Sequence, residues 1–146
     1  MPFYICPRCK TRRVDHDGRE GFSLEPPACE RCSFGFMFQI LEDYYPAQGT
    51  GFVVCDQDAR VLATGEGVFE LTGYKEEELM GRDVVDALGL SEREPVETVR
   101  EWGVRKLEQK LTLRTNTGRE RQVVADFFPA YDDDGGMLVA LTPRNN

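Results

Sequence analysis

The chain has 146 residues, which is enough for one ordinary domain, or for a domain of about 100 residues with a small appendage. Its formal charge of −8 disfavours a general affinity for the phosphate backbone of nucleic acids or for anionic membrane surfaces. No apolar run approaches the roughly 18 to 20 residues of a membrane span, and the first residues lack the apolar core of a signal peptide. We therefore expect a cytoplasmic protein that does not contact membranes.

Four of the five cysteines lie near the N-terminus as two C-x-x-C pairs, Cys6 with Cys9 and Cys29 with Cys32, separated by 19 residues. Two such knuckles can direct four thiolates tetrahedrally at one Zn²⁺ ion. The alternatives fit less well, because a disulfide pair suits a secreted protein and a thioredoxin-type motif lies between a strand and a helix. Since four thiolates leave no open coordination position, we expect structural zinc, and we expect this short segment to unfold without it.

Apolar side chains alternate after the second knuckle, which predicts a strand with one apolar face, formed by Phe34, Phe36, Phe38 and Ile40. With the knuckles, this segment resembles a zinc ribbon, a family whose members bind nucleic acid, bind protein or brace a neighbouring domain. His16, the only histidine, lies in a polar loop and is not required as a ligand, because the cysteine quartet is complete.

Basic side chains cluster around the first knuckle and leave a nucleic-acid contact open; they are Arg8, Lys10, Arg12 and Arg13. Acidic residues follow at once, and four thiolates would give the zinc centre a net negative charge. Bracing or protein contact is therefore the favoured interpretation. The hydrophobic periodicity ends in the segment 42–49, where Pro46 marks the predicted boundary between a first part, residues 1–46, and a second part, residues 47–146.

The second part predicts the element order β-β-α-α-α-α-β-β-β. The two strands are expected at 51–55 and 60–63, the helices at about 66–72, 76–80, 84–88 and 91–102, and the last three strands at about 107–114, 119–129 and 137–142. The spacing of Ser91 and Glu94 is that of a capping box, which predicts Ser91 as the start of the longest helix. Leu107, Leu111 and Leu113 alternate with polar residues, which predicts a strand with these leucines on one buried face.

Three stretches then carry a family resemblance: G-F-V-V-C-D from Gly51, L-T-G-Y-K-E-E-E-L-M-G-R from Leu71 and L-T-L-R-T-N-T-G-R from Leu111. Together with the element order they resemble a PAS domain over about residues 48–143. The resemblance implies an α+β fold, with a five-stranded antiparallel sheet in the spatial order 2-1-5-4-3 and with short helices and one longer helix on one face. It also implies a cavity between sheet and helices, which family members either use for a ligand or leave filled.

Departures from the family pattern narrow the cofactors that the resemblance implies. Gly65 stands where the family often has Asn, and the helix Ser91–Trp102 contains no histidine of the kind that haem-binding members use. Haem is therefore not expected. The N-C-R-F-L-Q motif of flavin-photochemical members is also absent, and Cys55 lies instead at the end of the first strand, where we expect it to act as a small hydrophobic side chain.

An organic ligand, if one binds, would be lined by inward residues of the sheet and helices, for which ordinary core packing is the alternative interpretation. The candidates are Val54, Phe69, Leu71, Leu111, Leu113 and Phe127.

The first, fourth and last strands of this part are apolar on both faces, which a sheet requires only when both of its sides are covered. One face would meet the helices. For the outer face we expect either the aromatic strand of the zinc ribbon or a second copy of the chain or another protein. A single histidine permits no Ser/His/Asp or Cys/His catalytic arrangement, so we do not expect an enzyme.

The favoured function is a non-enzymatic module for signal transduction or protein interaction, in which the zinc ribbon stabilises or docks on a PAS domain. Two alternatives stay open. One is a transcription-associated regulator whose ribbon contacts nucleic acid, and the other is a sensor that binds flavin or a metabolite.

Overall fold

A computed structural model describes residues 3–14, 31–32, 38–40, 47, 49–129 and 136–144 of the chain. Three short strands near the N-terminus form an antiparallel sheet in the order β2-β1-β3: β1 (Phe3–Ile5), β2 (Arg12–Val14) and β3 (Phe38–Ile40). The predicted strand at 34–40 is thus described only in its last three residues, and Phe34 and Phe36 lie outside the described residues.

The second part contains five strands and four helices among its described residues. They are β4 (Gly51–Cys55), β5 (Val61–Thr64), α1 (Val68–Thr72), α2 (Glu76–Leu79), α3 (Val84–Leu88), α4 (Glu94–Trp102), β6 (Lys106–Arg114), β7 (Glu120–Pro129) and β8 (Met137–Pro143). The predicted element order is confirmed. The five strands pair antiparallel in the order β5-β4-β8-β7-β6. Because three strands precede them in the chain, the same order counted from Gly51 is 2-1-5-4-3.

At two helix ends, identifiable residues satisfy free backbone groups. The Asp83 carboxylate caps α3 by accepting hydrogen bonds from the Val85 and Asp86 amides, at 2.9 and 3.1 Å. Gly73 ends α1 in the left-handed conformation, with φ of 79°, and donates its amide to the Phe69 carbonyl.

The predicted start of the longest helix at Ser91 is wrong, because α4 begins at Glu94. Ser91 instead joins this segment to β6. Its amide donates to the Thr112 carbonyl at 3.0 Å, and its hydroxyl accepts from the Thr112 amide at 3.1 Å. The capping-box spacing predicts that the Ser91 hydroxyl caps the helix, but this hydroxyl bonds to the edge strand β6 instead.

The inner cluster fills the space between the sheet and the four helices. It includes Val53 and Cys55 of β4, Val96 and Val99 of α4, and Leu111 and Leu113 of β6. The prediction that Leu107 shares this face is wrong. Glu108 adopts a positive φ of 56° in an irregular pairing between β6 and β7, and Leu107 packs on the opposite side of the sheet.

The outer cluster lies on the other face of the sheet and joins it to the N-terminal strands. Its sheet members are Phe52, Val54, Ala63, Phe128, Leu138 and Ala140. Ile5 of β1 and Phe38 of β3 complete it, at 0% and 3% exposure. Ile5 and Phe38 of the N-terminal strands, one of the expected occupants, pack on the outer face, which gives β4 and β8 apolar neighbours on both sides.

Candidate metal centre and sensory core

Three of the four predicted metal ligands converge in space. The sulfur atoms of Cys6, Cys9 and Cys32 lie within 4.8 Å of one another, and Cys6 Sγ and Cys32 Sγ are 3.5 Å apart. A tetrahedral zinc site with Zn–S bonds of about 2.3 Å places its sulfurs about 3.8 Å apart, whereas a disulfide needs about 2.05 Å. The three sulfurs thus fit a shared thiophilic metal ion. Cys29 and His16 lie outside the described residues.

The first C-x-x-C pair adopts a tight turn that is held by backbone hydrogen bonds. The Lys10 amide donates to the Cys6 carbonyl, and the Cys6 amide donates to the Thr11 carbonyl, both at 2.9 Å. The amides of Arg8 and Cys9 hydrogen-bond to the Cys6 sulfur. Lys10 closes the turn with a φ of 66°, an uncommon conformation for a residue with a side chain. These amides favour a thiolate at Cys6, as a metal ligand requires.

Burial nevertheless raises the pKa of the Cys6 thiol to about 12, because it outweighs the hydrogen bonds from the Cys9 and Arg8 amides. At neutral pH this thiol therefore keeps its proton unless a cation binds beside it. A bound divalent metal supplies that charge and displaces the proton, so metal binding and deprotonation of the cysteine cluster (Cys6, Cys9 and Cys32) are coupled.

The same turn contacts the second part of the chain at the junction between β5 and α1. A Cβ atom added to Gly65 would lie 1.8 Å from the Pro7 carbonyl oxygen, so no side chain fits there while the turn is in place. The Glu66 amide donates to the Arg8 carbonyl at 2.9 Å. The PAS pattern often has Asn at the position of Gly65. This chain has glycine there because the N-terminal turn occupies the space that a side chain would fill.

A charged contact lies beside this junction. Arg8 Nη2 is 3.5 Å from Glu76 Oε2, and the same oxygen accepts the Thr64 amide at 2.8 Å. The ion pair is largely exposed and contributes little stability by itself. It nevertheless directs Arg8, a member of the predicted basic cluster, towards α2. The side chain of Arg13 is outside the described part of the chain.

The candidate ligand-pocket residues separate into three environments. Leu71, Leu111, Leu113 and Phe127 belong to the inner cluster, with exposures of 0 to 4%. The inward orientation predicted for Val54 is wrong, because it belongs to the outer cluster. A strand that is apolar on both faces gives no indication of which face turns inward.

Phe69 is 54% exposed and lies in an open groove of about 590 Å³. The C-terminal end of α1 and the turn between β6 and β7 form its walls, and Arg121 Nη1 donates across it to the Leu71 carbonyl at 3.1 Å. Sequence reasoning missed this groove. The one available signal was the turn Asn116-Thr117-Gly118, whose Asn116 amide donates to the Thr72 carbonyl at 2.9 Å.

Cys55 is 1% exposed within the inner cluster. Burial raises the pKa of its thiol well above the ordinary range, and the charges of Asp56 and Asp83 add to this effect. A thiol that is neutral and enclosed is a poor nucleophile, so Cys55 packs as a small apolar side chain.

The family model described as PAS fold matches residues 35–144. No curated protein matches the chain. Among solved structures, the PAS domain of nitrogen regulation protein NR(II) from Vibrio parahaemolyticus is 11% identical, with 66% of this chain and 91% of that chain covered and a TM-score of 0.57. The light-state dimer of the fungal blue-light photoreceptor Vivid is 12% identical, with 69% and 82% covered and a TM-score of 0.58.

The PAS domain of the fruit-fly ELK potassium channel is also similar, at 14% identity, with 67% and 89% covered and a TM-score of 0.57. At these identities the likeness concerns the fold alone. No helix in the described part of the chain has the length and apolar character that a membrane span needs. Because the family model matches most of the sequence and the sheet, helices and core agree with it, the chain belongs to the PAS family.

Proposed function

We propose that the chain is a non-enzymatic PAS module for signalling or protein interaction, stabilised by a structural zinc ribbon formed by residues 1–46. The observation that carries the proposal is the contact between the two parts. The N-terminal strands complete the outer cluster through Ile5 and Phe38, and the cysteine cluster lies directly beside them. PAS domains are typically sensory modules, and two similar structures are named as a nitrogen regulation protein and a blue-light photoreceptor.

Zinc would be held by Cys6, Cys9 and Cys32, with Cys29 of the second C-x-x-C pair as the fourth ligand. Four thiolates would close the coordination sphere, so the ion would hold the N-terminal strands together and would not activate water. The strands of this sheet are only three residues long. Such a sheet has little core of its own, which is the situation in which metal binding provides the folding energy.

Protein contact is favoured over nucleic-acid contact for the same N-terminal part. The chain has a formal charge of −8, and Arg8, an exposed residue of the basic cluster, already pairs with Glu76. A titration with duplex and single-stranded DNA at two salt concentrations tests this preference, because phosphate contacts weaken steeply as salt increases. Tight binding with a steep salt dependence would support the transcription-associated alternative instead.

Metal analysis of matched cysteine variants tests the zinc site. We expect close to one zinc ion per chain in the protein as purified, and its loss in Cys32→Ser, because Cys32 Sγ is one of the three converging sulfurs. Cys55→Ala is the control, since Cys55 lies in the inner cluster, and this variant should retain the metal. Unchanged zinc content in Cys32→Ser would contradict the proposal.

A further inference from the structure

The described side chains between sheet and helices pack closely, whereas two thiols of the cysteine cluster are partly exposed. Leu71, Leu113 and Phe127, which face the space between sheet and helices, are 0 to 4% exposed and pack within one continuous cluster. Cys9 and Cys32 are only partly buried. The group best placed to respond to the surroundings is therefore at the N-terminal sheet.

We propose that the cysteine cluster is the sensing input of this module, that its input is the loading of a thiophilic divalent metal ion such as Zn²⁺, and that the turn Pro7–Arg8 transmits the loading state to the β5–α1 junction. The inference rests on the zinc site of the proposed function. It adds a regulatory role to a site that would otherwise be only structural.

Few covalent bonds separate the metal-binding sulfurs from the residues that contact the β5–α1 junction. Cys6 and Cys9 enclose Pro7 and Arg8 in the sequence, so an ion bound to both sulfurs fixes the two residues between them. Those two residues make the contacts with the β5–α1 junction. The Pro7 carbonyl fills the space beside Gly65, and the Arg8 carbonyl accepts the Glu66 amide.

The position of the turn Pro7–Arg8 depends on the metal, because the cysteine sulfurs lie at the buried centre of the N-terminal sheet. Cys6 is fully buried, and the partly buried apolar residues packed on it are Tyr4, Cys9 and Cys32. Without the ion, one buried thiol and two partly buried thiols replace a metal-bound cluster, and short strands alone do not hold this geometry. We therefore expect the turn to leave the junction when the metal leaves.

The junction can pass the change on to both adjoining helices. Glu66 lies two residues before α1, and Glu76 begins α2 while binding both Arg8 and the Thr64 amide. Release of the turn removes the acceptor of the Glu66 amide and the Arg8 partner of the Glu76 carboxylate together. The helix α1 borders the exposed groove at Phe69, so the altered segment reaches the surface that a partner can contact.

Hydrogen exchange of the full chain, with zinc bound and after removal with a chelator, tests the inference. We expect faster exchange at the Thr64 and Glu66 amides without zinc, because their acceptors belong to or depend on the released turn. Amides of α4 should be unchanged, since this helix packs on β6 and β7. Unchanged exchange at Thr64 and Glu66, or equal acceleration throughout α4, would overturn the inference. A protein that contains no zinc before chelation would overturn the proposed site itself.

Gly65→Ala provides an independent test, because coupling between two sites is reciprocal. The added Cβ clashes with the Pro7 carbonyl and pushes the turn from the junction, while the substitution changes no cysteine. We expect zinc affinity, measured by competition with a chelator of known affinity, to fall by roughly 5- to 150-fold. The control is Gly118→Ala, where φ is 86° and the added Cβ has no described atom within 4 Å. Equal affinities of Gly65→Ala and the unmodified chain would overturn the inference.

Discussion

The contact of β3 with the PAS sheet makes a specific prediction for Phe38→Ala. Phe38 is 3% exposed, and it packs in the outer cluster with residues of the PAS sheet such as Phe52 and Leu138. The substitution therefore removes an aromatic side chain from a contact between two sheets that come from different parts of the chain. We expect it to destabilise the PAS domain although residue 38 precedes β4.

The magnitude follows from the near-complete burial of the ring. Replacing a buried Phe with Ala typically costs about 3 to 5 kcal/mol, because apolar contacts are lost and a cavity remains. β3 is three residues long, so its neighbours can shift into part of the space. We therefore expect a loss near the lower end of this range, about 3 kcal/mol.

Urea unfolding followed by circular dichroism measures the change, with Phe69→Ala as a matched control. Phe69 is 54% exposed, so its substitution should change the free energy of unfolding by less than about 0.5 kcal/mol. Phe38→Ala should lower the midpoint of the main transition with little change in its slope. A midpoint equal to that of Phe69→Ala, or a separate early transition beside an unchanged main one, would refute the contact.

Two further predictions concern the PAS core and the start of α3. Leu113→Ala removes a fully buried side chain and should lower the free energy of unfolding by about 2 to 5 kcal/mol. The control Leu62→Ala, at a position that is 47% exposed, should lower it far less in the same assay. Equal losses of stability would contradict the packing of the inner cluster. The pKa of Asp83 is lowered, because hydrogen bonds from Arg93 and from the Asp86 and Val85 amides outweigh its burial. The pKa of Asp83 is therefore lower in the folded than in the unfolded chain. The stability that its carboxylate provides is fully present above the unfolded pKa, about 3.9, and is lost as the pH falls through the folded pKa. Asp83→Ala should lower the free energy of unfolding by about 1 kcal/mol at neutral pH, because the helix cap is lost. Asp83→Asn should reduce the loss of stability in acid. An unchanged acid dependence in Asp83→Asn would refute the role of the Asp83 charge.

Local sequence patterns predicted most of the elements of the PAS domain. Gly51–Cys55 and Val84–Leu88 have the predicted bounds, since each is an apolar run enclosed by turn or capping residues. The proximity of Cys6 and Cys9 was also predictable, because the C-x-x-C spacing places two sulfurs in one turn. These are features that neighbouring residues determine. Cys32 joins them from the second knuckle, which the duplicated motif predicted.

The errors at Ser91 and Leu107 have a different origin, since each depends on a contact with a distant part of the chain. Ser91 was predicted as a cap, but its hydroxyl binds Thr112 of β6. Leu107 was assigned to the inner face, but the Glu108 amide donates to the Asp126 carboxylate of β7 and Glu108 has a positive φ, so Leu107 packs on the other side. Gly65 was recognised only as a departure from a family pattern, because its reason is the turn at Pro7, far earlier in the sequence.

The central claim is that the N-terminal strands of the same chain cover the outer face of the PAS sheet. Isotope-filtered NOE spectroscopy on zinc-loaded protein, mixed from labelled and unlabelled chains, tests it directly. Contacts between the Phe38 ring and the side chains of Phe52 and Leu138 should appear within one chain. The claim would be contradicted if Phe52 and Leu138 showed contacts only to a second chain and none to Phe38 of their own chain.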